Sequence, residues 1–194
     1  MEKNNLIFIS GGARSGKSSF AERCAAEQSR AADRPLYYLA TSRRVDGEMS
    51  TRIDRHRHDR ERSGVRWRTL ECPEDIGSSI RHIEAGSVVL LDCLTLLLTN
   101  ELFREHDKWQ DKLYQTQVFN RIASGIEDIR THVHTLVIVS NDVSYGGHSS
   151  YDISNIYARI LGQLHQHMVK VSTEAYAVES GVPLLMKGTL GNGS

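Results

Sequence analysis

The run Gly11-Gly12-Ala13-Arg14-Ser15-Gly16-Lys17-Ser18 has residue types and spacing suited to holding an anion. It fits G-x-x-x-x-G-K-[ST]. The apolar residues 6–10 (LIFIS) precede it and a helix signal follows it, and this context gives the pattern its meaning. Glycines let the backbone wrap around phosphate oxygens, toward which its N–H groups and the helix N-terminus then point. Lys17 can reach the β- and γ-phosphates, and the Ser18 hydroxyl can ligate Mg²⁺. Such a site needs an acid at the end of a nearby strand to complete the metal's oxygen ligands. Asp92 closes the run Val-Val-Leu-Leu-Asp and fits that place. The expected chemistry is transfer from a nucleoside triphosphate. The Asn-Lys-x-Asp base-reading pattern of a switch-type GTPase does not occur.

A second reactive stretch, residues 46–62 (DGEMSTRIDRHRHDRER), carries two histidines among many arginines. Two residues apart on a helix, the histidines point to opposite sides and cannot share a metal. At about 100° per residue, Val45, Met49, Ile53, His56 and Arg60 share one narrow sector, and His58 lies across from it. His56 on the apolar-led face is either a core-edge histidine with a satisfied hydrogen bond or a nucleophile. A neutral imidazole can attack an α-phosphate and form a phosphoramidate, with Arg57 and Arg60 neutralising phosphates. Spacing alone fits both readings.

The elements that must position these residues alternate. Strands are expected at 6–10, 36–41, 67–71, 88–92, 135–140, 175–180 and 183–187. Helices are expected at 17–30, 45–62, 74–84, 94–104, 108–131 and 152–172, with a polar loop over 141–152. Strands that are apolar throughout, separated by helices, predict a mostly parallel sheet with helices on both faces. No linker divides the 194 residues, so one domain spans 1–194. Lys plus Arg and Asp plus Glu are 24 each, which argues against a general nucleic-acid or anionic-membrane binder. No stretch has the length of a membrane span, and residues 2–5 are too polar to open an export signal. Cys24, Cys72 and Cys93 form no CxxC pair and read as reduced thiols of a cytoplasmic protein. The last residues, GTLGNGS, read as a tail.

Four blocks in order, SGGARSGKS, YLATSRRVDGEMSTRIDRHR, WRTLECP and VVLLDCLTLLLTN, resemble the bifunctional adenosylcobinamide kinase / adenosylcobinamide-phosphate guanylyltransferase family of cobalamin biosynthesis. The resemblance covers roughly residues 6–100 in register and implies a P-loop NTPase-like α/β fold and a homotrimer. In that family a histidine after R-I-x-x becomes guanylylated; here Arg52-Ile53-Asp54-Arg55 leads to His56. The family's nucleotide-contacting segments fall on Gly11 to Ser18, on Ala40, Thr41 and Ser42, on Arg57, His58, Asp59 and Arg60, and on Glu71 and Asp92. The C-terminal half departs from the pattern. Asn141-Asp142-Val143-Ser144 stands where Asn-Glu-Val-Gly is usual, and the following Val-Pro-Glu-Asn is missing. Of the later helix pattern Tyr157, Gly162 and Gln166 keep the residue class. Residues 181–187 match again.

The resemblance implies two reactions with Mg²⁺: phosphorylation of adenosylcobinamide by GTP or ATP, then GMP transfer from GTP through His56 to adenosylcobinamide phosphate. Two other readings fit the loop by itself. One is a single-activity small-molecule kinase with a structural His56. The other is a nucleotide-dependent binding or switch protein that transfers nothing.

Overall fold

The computed structural model describes residues 4–43, 65–142 and 153–189. The expected helix at 45–62, with His56, Arg57, His58, Asp59 and Arg60, lies outside the described residues, as do most of the expected loop and the tail.

Seven strands form one sheet: β1 (Asn5–Gly11), β2 (Leu36–Ala40), β3 (Trp67–Glu71), β4 (Val88–Asp92), β5 (Thr135–Asn141), β6 (Glu174–Glu179) and β7 (Val182–Lys187). Their order is β3-β2-β4-β5-β1-β6-β7. All neighbours run parallel except the final pair, β6 and β7. The helices are α1 (Lys17–Ala32), α2 (Leu94–Leu102), α3 (Lys112–His132) and α4 (Ile153–Val171), with a 3₁₀ helix at Ile76–His82.

The strands are apolar throughout because both faces of the sheet are covered. Side chains alternate between faces along a strand. Leu6 and Phe8 of β1, Val89 and Leu91 of β4, and Leu136 and Ile138 of β5 meet α2, α3 and α4 in one core. The intervening Ile7, Ile9, Val88, Leu90, Val137 and Val139 meet α1 in the other. On α1 the buried positions Ala21, Ala25 and Ala26 are small, so the helix that carries the loop can lie close to the sheet.

Most boundaries fall within a residue or two of expectation, and two elements differ in kind or start. The short helix expected over 74–84 is the 3₁₀ helix Ile76–His82, which starts after Asp75 in a left-handed conformation at φ 47°. The helix expected from residue 108 begins at Lys112, because the Asp111 carboxylate accepts the Leu113 N–H at 2.7 Å and caps it there.

This topology decides where a ligand can bind. The connection leaving β1 runs along one face of the sheet through α1, whereas the connection leaving its neighbour β5 runs along the other through α4. Adjacent strands whose connections part in this way leave a crevice at their carboxyl ends. Gly11 and Asn141, paired in register, mark that crevice.

Candidate active site

Gly11 ends β1 with no room for a side chain. A Cβ there would come within 2.5 Å of the Val178 carbonyl oxygen and 2.7 Å of Ser15 Oγ. The loop then turns through Arg14 at φ 60° and Gly16 at φ 88° into α1. Phe20 N–H donates to the Gly16 carbonyl at 3.0 Å, closing the first helical turn. The first N–H groups of a helix lack intrahelical partners, so this end of α1 offers donors to an anion. Lys17 is buried, and its Nζ donates to the Gly12 carbonyl at 3.0 Å, so the ammonium is held across the loop. Ser15 Oγ is also buried and has no hydrogen-bond partner among the described residues. Such a hydroxyl carries a desolvation cost that a phosphate oxygen in the loop would relieve.

The loop is braced from outside the motif. Ser180 and Gly181, both at positive φ, turn the chain between β6 and β7. The Gly181 N–H donates to the Ser15 carbonyl at 2.8 Å. Sequence reasoning missed this support; two residues including a glycine between two strands would have indicated the hairpin, though not its docking on the loop.

Asp92 lies on the same sheet edge. In register, Glu71 of β3 pairs with Ala40 of β2, and Ala40 with Asp92 of β4. Asp92 and the end of β1 are separated by β5, two strand spacings or about 10 Å in backbone terms. Helix α1 packs against both β5 and β4. Tyr38 Oη donates to Asp92 Oδ2 at 2.9 Å and fixes the carboxylate. Burial pushes the Cys93 thiol above its ordinary value, with Asp92 adding to the rise and Lys17 among the groups opposing it. Ser18 and Asp92 supply hard oxygen donors, both half-buried, on one edge of the sheet. That donor chemistry fits Mg²⁺, which binds one or two protein oxygens together with phosphates and waters.

The other expected contacts separate. Thr41 is fully buried, and its hydroxyl donates to the Cys93 carbonyl at 2.8 Å and accepts the Cys93 N–H at 2.7 Å. Asn100 Nδ2 donates to the Thr41 carbonyl at 2.8 Å and to the Pro73 carbonyl at 3.0 Å. The Thr41 side chain therefore ties the end of β2 to the corner that leaves β4. Ser42 is half-buried beside it, and Glu71 is exposed at the end of the edge strand. Gly12, Ala13, Arg14 and Gly16 are exposed along the loop.

A further polar array lies under the crevice. Ser140 Oγ and His165 Nε2 are 2.7 Å apart, and Asp142 Oδ1 is 3.9 Å from His165 Nδ1. Ser140 is fully buried, so this serine has no access to a substrate and the array is structural. Burial pushes the His165 imidazole below its ordinary value of 6.5, with Asp142 acting against the shift. A depressed histidine stabilises the fold fully above the unfolded value and loses that contribution as pH falls through the folded one. Wild type is therefore expected to lose thermal stability more steeply than His165→Gln between pH 7 and 5. Parallel melting curves over that window would show that His165 is not the group responsible.

This site and sheet define a P-loop nucleotide-binding α/β protein. Solved structures share the fold at low identity. A KaiC-like protein from Pyrococcus horikoshii matches with TM-score 0.54 and 11% identity, over 99% of this chain and 82% of its own. An ATPase domain matches with TM-score 0.52 and 15% identity, over 91% of this chain and 70% of its own. Residues 7–186 match the model of the family described as cobinamide kinase / cobinamide phosphate guanyltransferase, and the chain belongs to that family. The bifunctional adenosylcobalamin biosynthesis protein CobP of Pseudomonas aeruginosa is 35% identical, over 93% of this chain and 96% of its own length. The corresponding protein CobU of Escherichia coli is 31% identical, over 94% of this chain and 99% of its own.

Proposed function

We propose that this protein carries out both reactions of its family, as a kinase and a guanylyltransferase late in cobalamin biosynthesis. The observation that carries the reading is the loop itself. Lys17 is buried across a glycine cradle, on the sheet edge where β4 ends in a carboxylate held by Tyr38. A switch or binding protein is less well supported, because the family match extends over residues 7–186.

In the first reaction the loop N–H groups hold the triphosphate of GTP or ATP. Lys17 compensates charge on the phosphoryl group as it moves to the hydroxyl of the aminopropanol arm of adenosylcobinamide. Ser18 and Asp92 would hold Mg²⁺, which supplies further neutralisation of the phosphates when bound. In the second reaction the neutral imidazole of His56 forms a P–N bond to the α-phosphorus of GTP, and pyrophosphate leaves. A phosphate oxygen of adenosylcobinamide phosphate then displaces the imidazole, giving adenosylcobinamide-GDP and restoring His56. Arg57, His58, Asp59 and Arg60 contact the nucleotide on the family pattern, as do Ala40, Thr41, Ser42 and Glu71. The family resemblance supports a homotrimeric assembly. Cys24, Cys72 and Cys93 are free thiols, which together with nucleoside triphosphate substrates supports a cytoplasmic location. Among the described residues no helix is long and apolar enough to cross a membrane.

Incubation with α-labelled GTP, followed by adenosylcobinamide phosphate, tests the reading. The protein should take up label that is lost in acid and survives base, and should then pass it to the corrinoid. Absence of labelling, with intact phosphorylation of adenosylcobinamide, would leave a single-activity kinase.

Asp92→Asn is expected to weaken Mg²⁺-dependent nucleotide binding by roughly 10-fold while the fold is kept, since the change preserves size and the Tyr38 contact but removes charge. Titration of nucleotide with and without Mg²⁺ checks this. An unchanged Mg²⁺ dependence would reduce Asp92 to a structural strand end.

A further inference from the structure

Two adjacent tyrosines on β2 lie on opposite faces of the sheet. Tyr37 belongs to the core that meets α2, α3 and α4, and Tyr38 to the core that meets α1. Tyr37 Oη accepts an N–H of Arg68 at 2.9 Å. Tyr38 Oη donates to Asp92 Oδ2 at 2.9 Å. The two phenols meet different partners because side chains alternate across a strand. Leu90 lies in the core on the α1 side, so Asp92, two residues on, projects from that face as well.

Register sets the reach from Tyr38 to Asp92. Tyr38 pairs with Leu90, two residues short of Asp92, or roughly 7 Å along the strand. A tyrosine spans that distance and delivers its hydroxyl to the carboxylate. The ring is buried, and Trp67 of β3 packs on it edge to face, with centroids 6.2 Å apart and planes at 78°. Strand β2 itself lies between β3 and β4. A ring mounted in this way makes its hydroxyl a fixed donor.

The terminal torsion of an aspartate is broad, so a donor on Oδ2 narrows the orientations of the carboxylate plane. Hard cations respond differently to such a restraint. Mg²⁺ demands near-octahedral oxygens at about 2.0–2.1 Å, whereas Ca²⁺ accepts a larger, flexible set at about 2.3–2.6 Å.

We propose that Tyr38 is a positioning residue that makes the site favour Mg²⁺ over Ca²⁺, by holding the Asp92 carboxylate in one orientation. The inference rests on the proposed Mg²⁺ role of Asp92 and deepens it. Tyr38 acts through Asp92, to which its hydroxyl is bonded. Loss of that hydroxyl leaves the carboxylate charge in place, so both cations still bind. The ion that requires fixed geometry loses more affinity.

Nucleotide affinity measured with Mg²⁺, with Ca²⁺ and with EDTA tests this. The probe is the α,β-methylene analogue of GTP, whose α–β link does not break, with no acceptor present. Tyr38→Phe keeps the ring and its packing and removes only the hydroxyl. Its nucleotide Kd should rise about fivefold with Mg²⁺, the size of one lost hydrogen bond. With Ca²⁺ and with EDTA the Kd should stay within about twofold of wild type. Tyr37→Phe removes the same atom on the opposite face and should change none of the three values. In an Asp92→Asn background Tyr38→Phe should add less than about twofold, because the two residues act as one unit. A Mg²⁺ value unchanged in Tyr38→Phe but raised in Asp92→Asn overturns the positioning role and leaves the metal reading in place. A full further loss in the Asp92→Asn background also overturns it. Equal losses with Mg²⁺ and Ca²⁺ overturn the selectivity. Losses that extend to EDTA, or that Tyr37→Phe shares, reduce Tyr38 to a core residue. No effect of Asp92→Asn overturns the metal reading, and this inference with it.

Discussion

Lys17→Ala should lower kcat for phosphorylation of adenosylcobinamide by roughly 10²–10³-fold, the size of effect seen when one preorganised charge-stabilising donor is removed. Lys17 sits across the loop with its Nζ 3.0 Å from the Gly12 carbonyl oxygen. Its stem is buried, so the charge acts in surroundings that screen it less than water does. The loop and α1 contain no other lysine to replace it, and Arg14 is on the exposed side of the turn. Truncation also removes buried methylenes, so a loss of activity could reflect a collapsed loop. Lys17→Met keeps the stem's length and apolar contacts and removes only the charge. Both variants should lose activity alike, with Lys17→Met melting close to wild type. Turnover of either variant within tenfold of wild type would remove the loop from the chemistry.

The loop, its strand and its helix were legible because a short local pattern encodes them. The glycines, Lys17 and Ser18 are contiguous, and each carries a separate physical requirement. Asp92 was legible for a similar reason: four apolar residues run directly into one carboxylate at a strand end. The two-faced sheet followed from strands such as residues 88–92, whose apolar side chains leave no polar face. What long-range packing decides was not legible. Thr41 reads as one polar residue after a strand, and only the approach of Cys93, fifty-two positions away, shows that its hydroxyl is engaged. Gly181 reads as a turn residue, and only the fold sets it on Ser15. The start of α3 was misplaced for a local reason, since Asp111 competes with the apolar periodicity by capping the N-terminus.

The second large effect concerns the two histidines. His56→Ala should reduce covalent GMP labelling and guanylyl transfer to background, whereas His58→Ala should keep both. Two arguments choose His56. On a helix, Val45, Met49, Ile53, His56 and Arg60 share one sector, and His58 lies roughly half a turn away. The family pattern selects the same imidazole through its place after Arg52 and Ile53. The second argument does not depend on helix geometry, so a break near Gly47 would remove only the first. Phosphorylation of adenosylcobinamide should survive His56→Ala at least in part, because that step uses the loop, Lys17 and Asp92 and needs no histidine nucleophile. This split separates a lost nucleophile from a damaged fold: a misfolded variant would lose both reactions together. Treatment with GTP, digestion and mass spectrometry should find the added GMP on the peptide carrying His56, bound as an acid-labile phosphoramidate. A GMP adduct on His58, or full labelling of His56→Ala, would transfer the nucleophile's role to the other imidazole.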